Sequence, residues 1–161
     1  MPSGAVTCDG AGRFGGEARP TLAVQGWGTR DIGTGHFMYE VSVDETFSAG
    51  HALRGYKGKC ENVHGHNYKV RVTLAGKELD SVGLLYDFVH LKQVIQGVIR
   101  SLDHRFLNDS APFDTVNPSA ENIARYIYDE TSKQMKRTEN GAAISSIRVW
   151  ETDVTSATYR P

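Results

Sequence analysis

Three side chains that commonly bind metals or take part in catalysis lie within seven residues of one another, in the stretch KCENVHGHNYKV at residues 59–70. Cys60 precedes His64 and His66, and a glycine separates the two histidines. In an extended strand, side chains two residues apart point to the same face. Both imidazoles could therefore reach one ion at the ~2.0–2.1 Å typical of zinc–nitrogen bonds. The spacing predicts a metal site on a β-strand.

A third histidine, His51, ends a preceding segment that shows the pattern of a strand. Alternate positions from Tyr39 to His51 are largely apolar and the positions between them are mostly polar, which predicts a half-buried strand. His51 shares the parity of the apolar positions and is expected on the same inner face. Imidazole nitrogens suit zinc, so we predict a Zn²⁺ ion bound by His51, His64 and His66.

The role of Cys60 has two interpretations at this point. As a fourth ligand, its thiolate would complete the closed tetrahedral arrangement of a structural zinc site. If the thiol lies beside the ion instead, the zinc keeps an open position, as catalytic sites do. The positive charges of the metal and of Lys57 or Lys59 would then favour a thiolate that acts as a base or nucleophile.

Two further places in the sequence have groups suited to proton transfer or ligand binding. Asp103 precedes His104, and a carboxylate can hold a histidine in the tautomer needed for proton relay. An ordinary helix C-terminus, which also favours histidine, is the alternative. Glu151 shares a predicted strand face with Ile147 and Val149, where a carboxylate requires a hydrogen-bond donor. A salt bridge or a bound heterocycle with adjacent N–H groups would provide one.

Composition limits the classes of protein to which the chain can belong. It has 161 residues, 39% of them hydrophobic and 23% charged, and a net charge of −1, which suits one folded domain. The near-neutral charge gives no electrostatic reason to expect binding to nucleic acid or to a membrane surface, and no apolar run is long enough to span a bilayer. The two cysteines, Cys8 and Cys60, form no disulfide framework, which fits a cytoplasmic protein.

The chain divides into two parts by composition. Residues 1–36 contain nine of the 17 glycines and have no sustained periodicity. We interpret them as a flexible extension, or as the result of a start codon assigned upstream of Met38. Residues 37–161 form the predicted folded domain.

The folded domain is predicted to be α+β. A second strand is expected at about 63–74 and a short third strand at LLYDF, residues 84–88. Helices are expected after the N-cap Asp87 and from the NPS sequence at 117–119. AISSIRVWET and SATYR then predict two closing strands. Because strands and helices are grouped apart along the chain, an antiparallel sheet is favoured.

Six motifs in this part of the chain resemble those of the 6-pyruvoyl-tetrahydropterin synthase superfamily. They occur in the order FSAGH, C-x3-HGHNYKV, LLYDF, LDHRFLN, NPSAENIARYIY and VWETDVTSATY, and the resemblance covers nearly all of residues 38–161. The three residues between Cys60 and HGH, and YDF before the first helix, are closer to the bacterial branch of 6-carboxy-5,6,7,8-tetrahydropterin synthases than to pyruvoyl-forming members. Gly50 in FSAGH is a departure, since alanine is commoner there.

The resemblance implies a tunnelling fold, in which two helices cover one face of a four-stranded antiparallel sheet. Subunits join their sheets into a barrel, usually as a homohexamer. It also implies that the three histidines bind zinc and that Cys60 is the catalytic base. Asp103 and His104 would be a proton relay supplied by a neighbouring subunit, and Glu151 would anchor the pterin ring.

The reaction that the resemblance implies converts 7,8-dihydroneopterin triphosphate to 6-carboxy-5,6,7,8-tetrahydropterin, with release of acetaldehyde and triphosphate, in queuosine (7-deazapurine) biosynthesis. Zn²⁺ would be the cofactor; the ring is reduced at the expense of its side chain, and the sequence has no G-x-G-x-x-G dinucleotide fingerprint. Two alternatives are a pyruvoyl-forming or aldolase-like pterin enzyme on the same fold, and a zinc-stabilised binding protein without catalysis.

Overall fold

A computed structural model describes residues 38–136 and 138–161 of the chain. The expectations for residues 1–36, a flexible extension or a misassigned start, lie outside the described residues, as does Cys8.

The described chain forms one five-stranded sheet and two α-helices. In chain order the elements are β1 (Tyr39–His51), β2 (His64–Gly76), α1 (Phe88–Ile99), β3 (Arg105–Phe106), α2 (Ala120–Gln134), β4 (Ala143–Thr152) and β5 (Thr155–Tyr159). Single turns of 3-10 helix occur at Lys59–Glu61 and Leu107–Asp109. The strand order across the sheet is β3-β1-β2-β4-β5, and every pairing is antiparallel except that of β1 with β3. The α+β class is confirmed.

Alternation along the strands separates an inner, apolar face from an outer, polar one. Register pairs apolar positions of β1 with apolar positions of β2, for example Val43 with Val72 and Phe47 with Tyr68. The inner face and both helices contribute to a single core, whose fully buried members include Val70, Val72, Leu74, Leu91, Ile95, Ile123, Ile127, Ile147 and Val149. On the outer face Asp44 pairs with Arg71 at 2.6 Å. The periodicities that predicted β1, β2 and the helices therefore correspond to real buried faces.

The strand predicted at LLYDF is wrong, because loop residues bind its main chain. Asp80 exchanges hydrogen bonds with Leu84, its N–H donating to the Leu84 carbonyl at 2.8 Å and its carboxylate accepting from the Leu84 N–H at 2.8 Å. The Asn140 amide donates to the Leu85 carbonyl at 2.9 Å. The segment is instead a loop that buries Leu85 and Tyr86 ahead of α1.

The sheet also contains a short strand, β3, beyond the four-stranded sheet that the resemblance implied and at a place where no strand was predicted. The two-residue β3 lies parallel to the end of β1, with Ala49 opposite Arg105 and Gly50 opposite Phe106. A strand this short has no periodicity of its own, so only its contact with β1 defines it. Its position is important, since it brings the segment that follows α1 to the end of β1 where His51 lies.

The first helix begins at its predicted cap, Asp87, whereas the second begins slightly later than predicted, with Ser119 as its N-cap and Pro118 outside the first turn. The Asp87 carboxylate accepts from the Val89 N–H at 2.7 Å, and the Ser119 hydroxyl accepts from the Asn122 N–H at 3.4 Å. No helix within residues 38–136 or 138–161 is both long and apolar enough to cross a membrane.

Candidate metal centre and active site

The three predicted metal ligands lie together at one end of the β1–β2 ladder. Register places His51 opposite His64 and Ala49 opposite His66, so all three imidazoles project from the inner face. Their ligand nitrogens lie within 4.8 Å of one another. Within the described part of the chain, no other group of three His, Cys, Asp or Glu side chains has this geometry.

Main-chain carbonyls determine which nitrogen of two of these rings is protonated. His51 Nδ1 lies 2.7 Å from the Pro118 carbonyl oxygen, and His64 Nδ1 lies 2.8 Å from that of Asn62. A carbonyl oxygen only accepts hydrogen bonds, so each Nδ1 must be the protonated nitrogen of its neutral ring. Each Nε2 is then free to bind a metal, the arrangement usual for metal-binding histidines.

The two Nε2 atoms face each other at 3.0 Å. In these tautomers both atoms are acceptors, and two lone pairs at this distance repel each other. A cation bound by both nitrogens removes the repulsion, and imidazole nitrogens are ligands that zinc prefers. The donor set therefore fits a Zn²⁺ ion, with His66 as its third member.

Burial keeps His51 in the neutral form that binds metals. The residue is 1% exposed. Burial is the main cause that lowers the pKa of its imidazole; the hydrogen bond to Pro118 and the charge of Glu151 oppose this effect. The lowered pKa favours the neutral imidazole, the form that metal binding requires.

Cys60 lies in the turn Lys59–Glu61, between β1 and β2, and is partly exposed. Its carbonyl accepts from the Leu53 N–H at 2.9 Å, which ties the turn to the residues that follow His51. The thiol is not a member of the cluster formed by the histidines. The geometry thus groups three nitrogen ligands and leaves the sulfur outside them.

Glu151 lies at the irregular end of β4, where the β4–β5 register shifts between Trp150 and Thr152. Such a bulge changes the direction in which a side chain points. The charge of Glu151 opposes the lowering of the pKa of His51 and contributes, after burial, to the raised pKa of Tyr68. The charge of the Glu151 carboxylate therefore acts on both rings.

Tyr68, which the alternation along β2 places on the inner apolar face, is a further neighbour of the site. It is fully buried, and its ring centroid lies 5.4 Å from that of His66 and 5.8 Å from that of His51. Its hydroxyl has no hydrogen-bond partner among the described residues. Its position two residues after His66, on the same strand face, was the available signal.

Asp103 and His104 form a pair that β1 holds in place. The Ser48 N–H donates to Asp103 Oδ1 at 2.9 Å, and Asp103 Oδ2 lies 2.9 Å from His104 Nδ1. These contacts, the Ser48 N–H first, lower the pKa of the Asp103 carboxyl. The pair follows the end of α1 at Ile99, and the Asp103 N–H donates to the Ile99 carbonyl at 3.0 Å.

His104 has a backbone conformation that non-glycine residues seldom adopt. Its φ is +55°, and its N–H donates to the Ser48 carbonyl at 2.6 Å. A left-handed residue of this kind persists where its surroundings hold it. The side chain is 80% exposed and lines a shallow groove of about 550 Å³ together with His66 and Asn67. The structure thus directs this imidazole into solvent, outside the histidine cluster of its own chain.

The chain is similar to known proteins in family, sequence and structure. Residues 40–161 match the family model described as 6-pyruvoyl tetrahydropterin synthase. The chain is 35% identical over 130 residues to a Bacillus subtilis 6-carboxy-5,6,7,8-tetrahydropterin synthase, covering 78% of this chain and 87% of that protein. It is 36% identical over 130 residues to a Poecilia reticulata 6-pyruvoyl tetrahydrobiopterin synthase, covering 72% and 86%.

A solved structure shows the same fold. The Caenorhabditis elegans 6-pyruvoyl tetrahydropterin synthase matches with a TM-score of 0.69 and 30% identity, over 77% of this chain and 96% of that one. Fold and sequence together define an enzyme of the tunnelling-fold class, a lyase. The chain belongs to the 6-pyruvoyl tetrahydropterin synthase family, as its motifs predicted.

Proposed function

We propose that this chain is a zinc-dependent synthase that converts 7,8-dihydroneopterin triphosphate and water to 6-carboxy-5,6,7,8-tetrahydropterin, acetaldehyde and triphosphate, for queuosine biosynthesis. The observation that supports it most directly is the pair of opposed Nε2 atoms of His51 and His64, 3.0 Å apart. This is a donor set for one metal ion in a family of pterin enzymes. A cytoplasmic location accords with a mechanism that needs the Cys60 thiol reduced.

His51, His64 and His66 hold the zinc in this proposal. Bound there, the ion supplies Lewis-acid activation of the substrate side-chain hydroxyls. The carbonyls of Pro118 and Asn62 keep the two Nδ1 atoms protonated, so that the Nε2 atoms stay available.

Cys60 removes a carbon-bound proton from the substrate side chain. Its place outside the histidine cluster supports a base rather than a fourth ligand. The turn that contains it is partly exposed and adjoins the end of β1, which leaves the sulfur accessible to a substrate lying over the histidines.

Asp103 and His104 relay protons to and from substrate oxygen or ring carbon. Asp103 binds the Nδ1 side of the ring, which leaves His104 Nε2 for exchange. Because the imidazole is 80% exposed and lies outside the cluster of its own chain, we infer that it serves the site of a neighbouring subunit. The active enzyme is then a homo-oligomer, which we propose to be a hexamer joined through sheet edges.

Glu151 anchors the pterin ring by accepting hydrogen bonds from its N–H edge. The carboxylate is half-buried beside the inner face, close enough to His51 to act on its pKa. A carboxylate in this position matches the paired donors of the heterocycle, and charge-assisted hydrogen bonds of this kind are about twice as strong as neutral ones.

A second candidate, formation of a 6-pyruvoyl product, is favoured by the 36% identity to the Poecilia reticulata protein. The test incubates the zinc-loaded protein with 7,8-dihydroneopterin triphosphate and measures acetaldehyde and pterin products by mass spectrometry. Acetaldehyde in equal amount to a 6-carboxy product is expected. A pyruvoyl product without acetaldehyde would establish the second candidate, and no turnover with four protein ligands on zinc would indicate a non-catalytic protein.

A further inference from the structure

Two asparagine side chains form paired hydrogen bonds with the main chain that follows His51. Asn108 accepts from the Ala52 N–H at 2.9 Å and donates to the Ala52 carbonyl at 2.8 Å. Asn117 accepts from the Arg54 N–H at 2.9 Å and donates to the Arg54 carbonyl at 2.9 Å. Each amide thus satisfies both main-chain groups of one residue, as a neighbouring strand would.

Further contacts join the same residues to the loop that precedes α2. The Arg54 guanidinium donates to the carbonyls of Phe113 and Val116, both at 2.8 Å. The Asn122 amide donates to the Asn117 carbonyl at 2.9 Å. The loop and the residues after β1 are therefore held at a fixed separation, and Pro118, which follows Asn117 directly, supplies the carbonyl that binds His51 Nδ1.

We propose that Asn108 and Asn117 are positioning residues for the metal ligand His51. Asn108 binds the residue next to His51, and Asn117 lies next to Pro118. Together they keep the His51–Pro118 hydrogen bond in place and so maintain the Nδ1–H tautomer of His51. Without that hydrogen bond the proton can move to Nε2, where it points at His64 and prevents metal binding. The inference rests on the proposed zinc site, and it gives a role to the asparagines of the LDHRFLN and NPSAEN motifs.

Asn108 adds a link between two parts of the proposed mechanism. It lies four residues after His104, on the segment that also contains the Asp103–Ser48 contact. One short segment, residues 103–108, therefore binds β1 and its extension at two points. Asp103 and His104 bind Ser48, and Asn108 binds Ala52, the residue directly after the metal ligand His51. The relay imidazole and the metal ligand are positioned by the same stretch of main chain.

The test uses Asn108→Ala and Asn117→Ala, with Asn140→Ala as a matched control. The Asn140 side-chain amide also binds the main chain: it donates to the Leu85 carbonyl at 2.9 Å and accepts from the Ala142 N–H at 3.3 Å. It lies near Gly76, at the end of β2 opposite to His64. Zinc affinity is measured by competition with a chromophoric chelator, and the His51 tautomer of the metal-free protein by ¹⁵N NMR.

Both site variants are expected to bind zinc about ten- to a hundred-fold more weakly, the usual effect of removing a group that orients a ligand, and to lose the pure Nδ1–H form of His51. Asn140→Ala should lower the melting temperature about as much as the two site variants do, but should leave the zinc affinity unchanged. Should the alanine variants not fold, Asn108→Asp and Asn117→Asp keep the acceptor oxygen but replace the donor with a second acceptor and add a negative charge, so the His51 tautomer rather than the zinc affinity is then the measurement compared.

Zinc affinity equal to that of the parent protein, or weakened only as much as in the control, would overturn the inference. If the parent protein itself binds no zinc, the proposed function fails instead. The NMR tautomer then still tests the positioning role, since a variant that keeps the Nδ1–H form contradicts it.

Discussion

His51 and His64 face each other through their Nε2 atoms at 3.0 Å, while the Nδ1 of each ring binds a main-chain carbonyl. The two residues are directly opposite in the β1–β2 register. Because each ring is protonated on Nδ1, the lone pairs of the two Nε2 atoms point towards each other. The metal site is inferred from this arrangement.

Replacement of His64 by alanine should remove zinc from the protein. Two nitrogens, those of His51 and His66, would remain, fewer than the three protein ligands usual at catalytic zinc sites. Zinc per subunit, measured by plasma mass spectrometry after dialysis, is expected to fall from one to near zero. His90→Ala is the control, since His90 binds the Tyr86 hydroxyl at 3.0 Å outside the cluster and should retain the metal.

Replacement of Cys60 by alanine should separate catalysis from metal binding. The thiol lies outside the histidine cluster, so one zinc per subunit should remain. Turnover should fall by about 10²–10⁴-fold, the range for loss of a general acid or base. If the variant loses its zinc, the sulfur is a fourth ligand and the closed structural site is correct.

The Glu151→Gln variant should weaken pterin binding rather than remove the metal. Losing a charge-assisted hydrogen bond costs about 1.5–3 kcal/mol, so the dissociation constant for a pterin should rise by roughly ten- to a hundred-fold, as measured by fluorescence titration. Asp153→Asn changes an exposed carboxylate two residues away and should leave affinity unchanged. Equal affinities for all three proteins would contradict the anchoring role.

Tyr68→Phe should leave the free energy of unfolding unchanged or raise it. The hydroxyl is buried without a partner among the described residues, and an unsatisfied buried polar group costs about 1–3 kcal/mol. Urea denaturation of the two proteins measures the difference. A loss of more than about 1 kcal/mol would show that the hydroxyl has a partner in the assembled enzyme.

Acid should weaken the fold partly through Asp44. Its hydrogen bond to Arg71 is the main cause that lowers the pKa of the Asp44 carboxyl to about 2. Because the pKa of Asp44 is lower in the folded state than in the unfolded chain, its charge contributes to the free energy of unfolding at pH values above the unfolded pKa. This contribution is lost as the pH falls from about 4 towards 2. Because the pair is on the outer face and partly exposed, its contribution is about 1 kcal/mol or less.

The measurement is the urea midpoint of the parent protein and of Asp44→Asn between pH 5 and pH 2. The difference between the two proteins should shrink as the pH falls through this range. A difference that stays constant down to pH 2 would show that Asp44 contributes nothing through its charge.

Most of the secondary structure could be predicted because it depends on local periodicity. The alternation that ends at His51 and the helical spacing from Leu91 to Ile99 each mark one buried face. LLYDF was misassigned because a short apolar run has no clear period, and its main chain is bound by Asp80 and Asn140. No local pattern could show the latter contact, which joins residues 55 apart in the chain.

The sequence alone determined which side chains could bind a metal, because residues two apart on a strand must share a face, as His64 and His66 do. Only the tertiary structure decided how those side chains are protonated and held. The Pro118 carbonyl and the Asn108 and Asn117 amides reach the end of β1 from segments 56–67 residues away in the chain. Contacts over such separations depend on how the sheet, β3 and the loop before α2 pack together, and that packing has no local signature.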